Sequence, residues 1–310
     1  MNRARHLAML AAASATAIPG TARAQNSTVR IGAAANDSYA VTYFAQDGGF
    51  FERARIDADI QPFSSAPAMV AAAAGNAIDV GMADLIQVGN AFNRGVPFGF
   101  IASAGIYDSK LPTTLLCVAK NSLYKTAKDL EGQAVAVVAI ASIGGISFQE
   151  WLKAGGADVS KVKMLELPFS TMGPALTRGT VAAALIAEPF LSSFKNDVRP
   201  LGDTYAAIAK TFFLSGSFAS RDWVNANRDV AKRLVAAFQA AAAWSNTHRD
   251  DTAPMLAKYA KLDLDTIRGM ARATFATTLD PRQMQPILDI ATRYNQLAKP
   301  IRAQDLIIPV

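Results

Sequence analysis

Two carboxylates in this sequence stand at matched distances from two glycines. Asp84 lies nine residues after Gly75, and Glu188 lies nine residues after Gly179. Each glycine follows a helical run and precedes a short stretch of small, apolar, β-compatible residues, Ile78 to Ala83 in one case and Val181 to Ala187 in the other. A helix, a glycine cap, a buried strand and an acid at the strand's C-terminal end make half of an α/β unit. Ligands of open parallel sheets bind beyond those strand ends. A carboxylate desolvated there is costly unless something donates to it. The chemistry on offer is recognition of a small solute that brings a hydrogen-bond donor or a positive charge.

Other residues fall at the same kind of position. Asp37, Ser38 and Tyr39 follow the first strand, Ser64 and Ser65 open an Ala-rich helix, and Ser142, Ile143, Gly144 and Gly145 open another. The first turn of a helix has unpaired N–H groups and partial positive charge, so the two serine-led starts suit a sulfonate, a carboxylate or a similar acceptor. Tyr39, Phe63 and Tyr107 have faces that could stack on a flat ligand. Each residue also has a plainer role. Ser and Asp cap helices, carboxylates complement helix dipoles, and aromatics near strand ends pack in cores. No Arg or Lys is expected at the cleft loops, although Lys110 lies near one, and this weighs against a bare dianion.

The elements that must position these residues alternate. Strands are expected at 29–34, 56–63, 78–83 and 98–104, with helices between them, as in a mainly parallel sheet. The pattern restarts with strands at 113–119, 134–140, 162–167 and 181–187. An extended segment at 211–219 follows, and then helices at 230–247, 252–261, 265–275 and 282–298. A lobe that begins, is interrupted by a second lobe and is completed by C-terminal helices needs two crossover strands. The segments 113–119 and 211–219 are the expected pair, and such a pair is a hinge. The division is residues 25–112 with 213–310 as lobe 1, and 113–212 as lobe 2.

Composition narrows the function. Arg3 and Arg5, the apolar run from Leu7 to Ile18, and Ala22-Arg23-Ala24 before Gln25 read as a secretory signal peptide over residues 1–24. Removing Arg3, Arg5 and Arg23 takes the formal charge from +6 to +3. That excess is too small to argue for nucleic acid, and no basic stripe with interleaved aromatics is present. Cys117 is the only cysteine and reads as a small core residue. The only histidines are His6 and His248, so no cofactor and no metal site is expected. No G-x-S-x-G is present, and a hydrolase would need a nucleophile and a base.

Four motifs carry a family resemblance. Gly49-Phe50-Phe51-Glu52 with Ile56-Asp57 resembles a G-F-F-x-x-x-G-hydrophobic-D/E signature, with Ala54-Arg55 where Gly is usual. Ala74-Gly75 with Ile78-Asp79-Val80-Gly81 resembles an A-x-G-x-hydrophobic-D-hydrophobic-G strand. Asp129-Leu130-Glu131-Gly132-Gln133-Ala134-Val135 resembles a D-L-x-G-K-x-V element, with Gln133 where Lys is common. Ala187-Glu188-Pro189-Phe190 resembles an E-P-hydrophobic cleft end, and Ala182-Ala183 stands where Asp-Ala is frequent. In this order they resemble the periplasmic solute-binding proteins of the sulfonate, taurine, nitrate and thiamine-precursor ABC importers. The resemblance implies the type II periplasmic binding fold, two α/β lobes joined by crossover strands. It implies a monomeric receptor that is soluble in the periplasm and captures a small polar solute, sulfonate-, taurine- or pyrimidine-like, for an inner-membrane permease. Two alternatives stay open, a receptor that presents its ligand to a membrane sensor and a pyrimidine-precursor enzyme. The enzyme's relatives share a Cys-rich segment and histidines that this chain lacks. The expected ligand-binding set is Asp37, Ser38, Tyr39, Ser64, Ser65, Asp84, Tyr107, Ser142, Ile143, Gly144, Gly145 and Glu188.

Overall fold

The computed structural model describes residues 27–310. The expected signal peptide and its cleavage point before Gln25 lie outside the described residues. Thirteen strands are seen among those residues. The first four are β1 (Ser27–Ala33), β2 (Ile56–Pro62), β3 (Val80–Ala83) and β4 (Phe98–Ser103). A short β5 (Gly105–Asp108) precedes β6 (Thr114–Ala119), β7 (Ala134–Val137), β8 (Lys163–Glu166), β9 (Ala183–Ala187) and β10 (Val198–Gly202). Last come β11 (Thr211–Phe213), β12 (Gly216–Ser220) and β13 (Thr274–Phe275).

Two five-stranded sheets share one design. The first has the order β2-β1-β3-β12-β4 and the second the order β10-β6-β9-β7-β8. In the first, β1 pairs in parallel with β2 and β3, while β12 runs antiparallel to both of its neighbours. In the second, β7 pairs in parallel with β8 and β9, while β6 runs antiparallel to its neighbours. The antiparallel member of each sheet is the first strand the chain makes after crossing from the other sheet. The sheets are therefore mixed, where alternation alone reads as mainly parallel.

The crossing itself matches the expected pair only in part, since β11 falls within 211–219 and β5 precedes 113–119. Residues 113–119 belong to the second sheet and residues 216–220 to the first. The two crossings run side by side as β5 and β11, which pair antiparallel, and β13 pairs with the other edge of β5. The backbone N–H of Ser109 donates to the carbonyl of Lys210 at 2.9 Å, just beyond that pair. β5 is only four residues long and continues the apolar run of β4, so sequence pattern merges the two.

Burial explains the strands. All of β3 and β9 is buried, which suits their near-continuous small apolar sequences. Phe44, Phe51, Phe98, Phe100, Phe218 and Phe238 fill the core around the first sheet. Cys117 lies in a smaller core on the second sheet with Met172, Leu176 and Ile186. Among the described residues no helix is long and apolar enough to cross a membrane.

Candidate ligand-binding site

Helix starts set the site. Asp84 follows β3 and caps the helix Leu85–Asn93. Its Oδ1 accepts from the backbone N–H of Ile86 at 2.9 Å and of Gln87 at 3.3 Å. Gln87 completes a capping box, since its Oε1 accepts from the Asp84 N–H at 3.0 Å. Ser142 caps the helix Ile143–Ala154 in the other lobe. Its hydroxyl accepts from the Gly145 N–H at 3.2 Å and donates to the Ala139 carbonyl at 2.6 Å. The helix Ala66–Ala74 starts on Ser65 with Pro67 in its first turn, and no side chain caps it. The two glycines of the matched segments act differently. Gly179 itself is left-handed, at φ +69°, whereas Gly75 is not and Asn76 takes that role at φ 57°.

These starts converge on a cleft between the lobes of about 590 Å³, counted with its open mouth. Ser38, Tyr39, Ser64, Ser65, Asp84, Ser142, Ile143 and Gly144 line it, all from the expected set. Asn36, Gln87, Thr114, Phe169 and Tyr205 also line it and fall outside that set. No Lys or Arg is among the lining residues.

One contact closes the cleft. The Asp84 Oδ2 accepts from the backbone N–H of Ile143 at 3.0 Å, so one carboxylate joins helix starts in opposite lobes. The position expected to receive a ligand's anionic end is held by the chain's own carboxylate. Burial pushes the Asp84 pKa up to about 6, although three backbone N–H bonds pull it down. Its charge also raises the Tyr39 and Tyr205 hydroxyl pKa values, on top of their burial. Two further bonds span the lobes. The Asp37 N–H donates to the Glu188 carbonyl at 3.0 Å, and Arg293 reaches Glu150 at 3.3 Å.

A sequence model of the NMT1/THI5-like family matches residues 36–252. The chain belongs to the NMT1/THI5-like family. A putative binding protein of Brucella abortus is 25% identical to this member over 269 residues, which cover 85% of this chain and 80% of that one. The periplasmic aliphatic sulphonate binding protein SsuA from Escherichia coli superposes with a TM-score of 0.72 at 21% identity, over 91% of this chain and 97% of the other. The desulfurization enzyme DszB superposes with a TM-score of 0.68 at 15% identity, over 91% and 96%. At these identities the two solved structures share the fold.

Four expected residues of this NMT1/THI5-like chain do not line the cleft. Asp37 is buried in an ion pair with Arg272 Nε at 3.2 Å and also accepts from the Ala273 N–H. Tyr107 packs against Phe212 and Tyr205, and its hydroxyl donates to Asp203 at 2.7 Å, between the lobes' crossings. Glu188 turns back onto its own chain. It accepts from the Ser192 N–H at 2.9 Å and the Ser192 hydroxyl at 2.8 Å, and burial with the nearby Asp37 charge pushes its pKa up to about 7. Gly145 is glycine for internal packing, since a Cβ there would lie 1.9 Å from the Ile140 carbonyl oxygen. The missed residues carried little sequence signal. Asn36 reads as an ordinary cap, Gln87 as a helix surface residue, and Tyr205 opens a single 3-10 turn that no pattern marks.

Proposed function

We propose that this chain is the solute-binding receptor of an ABC importer. It captures a small polar organic solute, sulfonate-, taurine- or pyrimidine-like, in the interlobe cleft. It works as a soluble monomer in the periplasm after loss of residues 1–24 and hands its solute to an inner-membrane permease. Residues 25–112 with 213–310 form one lobe and 113–212 the other.

The observation that carries this reading is the geometry of the cleft. Its walls are helix starts and strand ends from two sheets, and the chain passes between the sheets at neighbouring crossings. Opposed walls on paired crossings can part and close about them. Closure buries the solute between these two walls. The name of the Escherichia coli neighbour points the same way. The Brucella relative is likewise named a binding protein.

The reading involves no chemical step. Cys117 lies in the second sheet's core, and burial pushes its thiol up to about 12. His248 is exposed, with its ring on Trp244 and its Nδ1 near the Trp244 carbonyl. Neither residue lines the cleft.

A thermal-shift screen of the purified protein against alkanesulfonates, taurine, nitrate, aromatic acids, pyrimidines and polyamines tests the reading. A true ligand at one hundred times its Kd stabilises by about 2.7 kcal/mol, a rise of roughly 5–10 °C in Tm for a chain of this size. A flat response to all six classes would overturn it. Intact mass of the protein from a periplasmic extract tests the location, with Gln25 expected as the first residue.

A further inference from the structure

Two carboxamides in the cleft are held in one orientation each. Asn36 follows β1, and its Oδ1 accepts from the Tyr39 N–H at 3.1 Å and from the Ser38 hydroxyl at 2.8 Å. Gln87 follows β3, and its Oε1 accepts from the Asp84 N–H at 3.0 Å. A backbone N–H requires an acceptor, so the oxygen must be the atom facing it and the NH₂ group must point elsewhere. Both residues line the cleft, and they are only 8% and 7% exposed. Neither NH₂ group has a hydrogen-bond partner among the described residues. Neither nitrogen is among the fully enclosed unpaired atoms, so each keeps some surface accessible; Asn36 and Gln87 both line the cleft, and each also borders a neighbouring pocket. A buried donor left unpaired is costly, and a ligand acceptor removes that cost.

We propose that Asn36 and Gln87 are a fixed pair of donors that read two acceptor atoms on one uncharged ligand. This rests on the receptor reading above and narrows its solute to the uncharged, pyrimidine-like class, naming the residues that sense it. β1 and β3 are neighbours in the first sheet, roughly 5 Å apart. Both carboxamides therefore stand on the first-sheet side of the cleft. Tyr39, Tyr205 and Phe169 supply flat surfaces around it.

The exclusion of an anion follows from how the facing wall is used. The Ile143 N–H is spent on Asp84 and the Gly145 N–H on Ser142. No cation lines the cleft to balance a second negative charge beside Asp84. Like charges brought together in a desolvated site repel strongly. An uncharged acceptor gains the two donors without that repulsion.

Matched pairs of probes test this: nicotinamide with nicotinate, uracil with orotate, and methanesulfonamide with methanesulfonate. Melting temperature is followed at pH 7.5 for wild type, Asn36→Asp and Gln87→Glu, which keep the oxygen that meets the backbone and lose the donor. Gln87→Glu also adds a charge beside Asp84, so Gln87→Met, which has neither charge nor donor, is measured alongside. At least one uncharged probe should stabilise the wild type more than its anion does. Its apparent Kd should weaken at least tenfold in Asn36→Asp and in Gln87→Met. The proposal falls if no uncharged probe stabilises the protein, or if the variants bind one as tightly as wild type. Stabilisation by the anions alone would overturn the donor pair and leave the receptor reading standing.

Discussion

Replacing Asp84 with asparagine asks whether a charge is held between the lobes. The side chain keeps its size, and its oxygen can still cap Ile86 and Gln87. The carboxylate's pKa rises from 3.8 to about 6, with burial outweighing the bonds from Ile143, Ile86 and Gln87. A group whose folded pKa is raised contributes stability that is complete below the unfolded value and is lost as pH rises through the folded one. For Asp84 that window runs from about pH 4 to about pH 6. Moving wild type from pH 7.5 to pH 5 should therefore recover roughly 1–2 kcal/mol from this group alone. That corresponds to roughly 3–6 °C in Tm for a protein of this size. The assay is a pair of thermal melts on ligand-free protein at the two pH values, for wild type and Asp84→Asn. The variant should lack this share of the gain. Equal pH dependence in the two proteins would refute the burial of an ionisable Asp84 between the lobes.

Three more outcomes are expected. Glu188→Gln should remove a second share of the same acid-side gain, because the Glu188 pKa rises from 4.5 to about 7; between pH 7.5 and pH 5 that share is roughly 2–3 kcal/mol, read from the same melts. Gly145→Ala should destabilise by roughly 3 kcal/mol in urea denaturation, because its Cβ would meet the Ile140 carbonyl oxygen at 1.9 Å; a loss below about 1 kcal/mol would mean the turn relaxes freely. Asp37→Ala leaves Arg272 buried without its partner, and breaking such a pair typically costs about 3–5 kcal/mol; a midpoint shift within error of zero in urea would contradict that role.

Local pattern was enough to find the two alternating lobes, the cleft-side ends of β3 and β9, and Asp84 as a residue of the cleft. The spacing from Gly75 and Gly179 works because a helix end, a short buried strand and the next helix start occupy a nearly constant length. What a carboxylate then does depends on its partners, and for Asp37 and Asp84 the deciding ones lie far away in sequence. Asp37 meets Arg272, which is 235 residues on. Asp84 reaches Ile143 across the cleft, and Glu188 is claimed by Ser192. Position at a strand end presents three comparable acids, and packing gives them three different surroundings. The crossings are only partly legible in the sequence for a related reason. β5 and β11 are four and three residues long, and their pairing depends on the return of the chain about a hundred residues later. Asn36 and Gln87 were passed over because a carboxamide's role rests on which of its two ends is engaged, which sequence does not express.

The bond between Ser109 and Lys210 has a consequence for how such a chain can change. The entire second sheet, with its helices, leaves and returns at neighbouring backbone positions. A segment whose two ends meet can be exchanged as a cassette without moving the rest, as domain insertions commonly show. Eight of the nineteen cleft-lining residues lie within residues 110–210. Grafting that stretch from a relative would rewrite nearly half of the wall while keeping Asn36, Asp84 and Gln87 in place. One half of the recognition surface is thus free to diverge while the other is held constant.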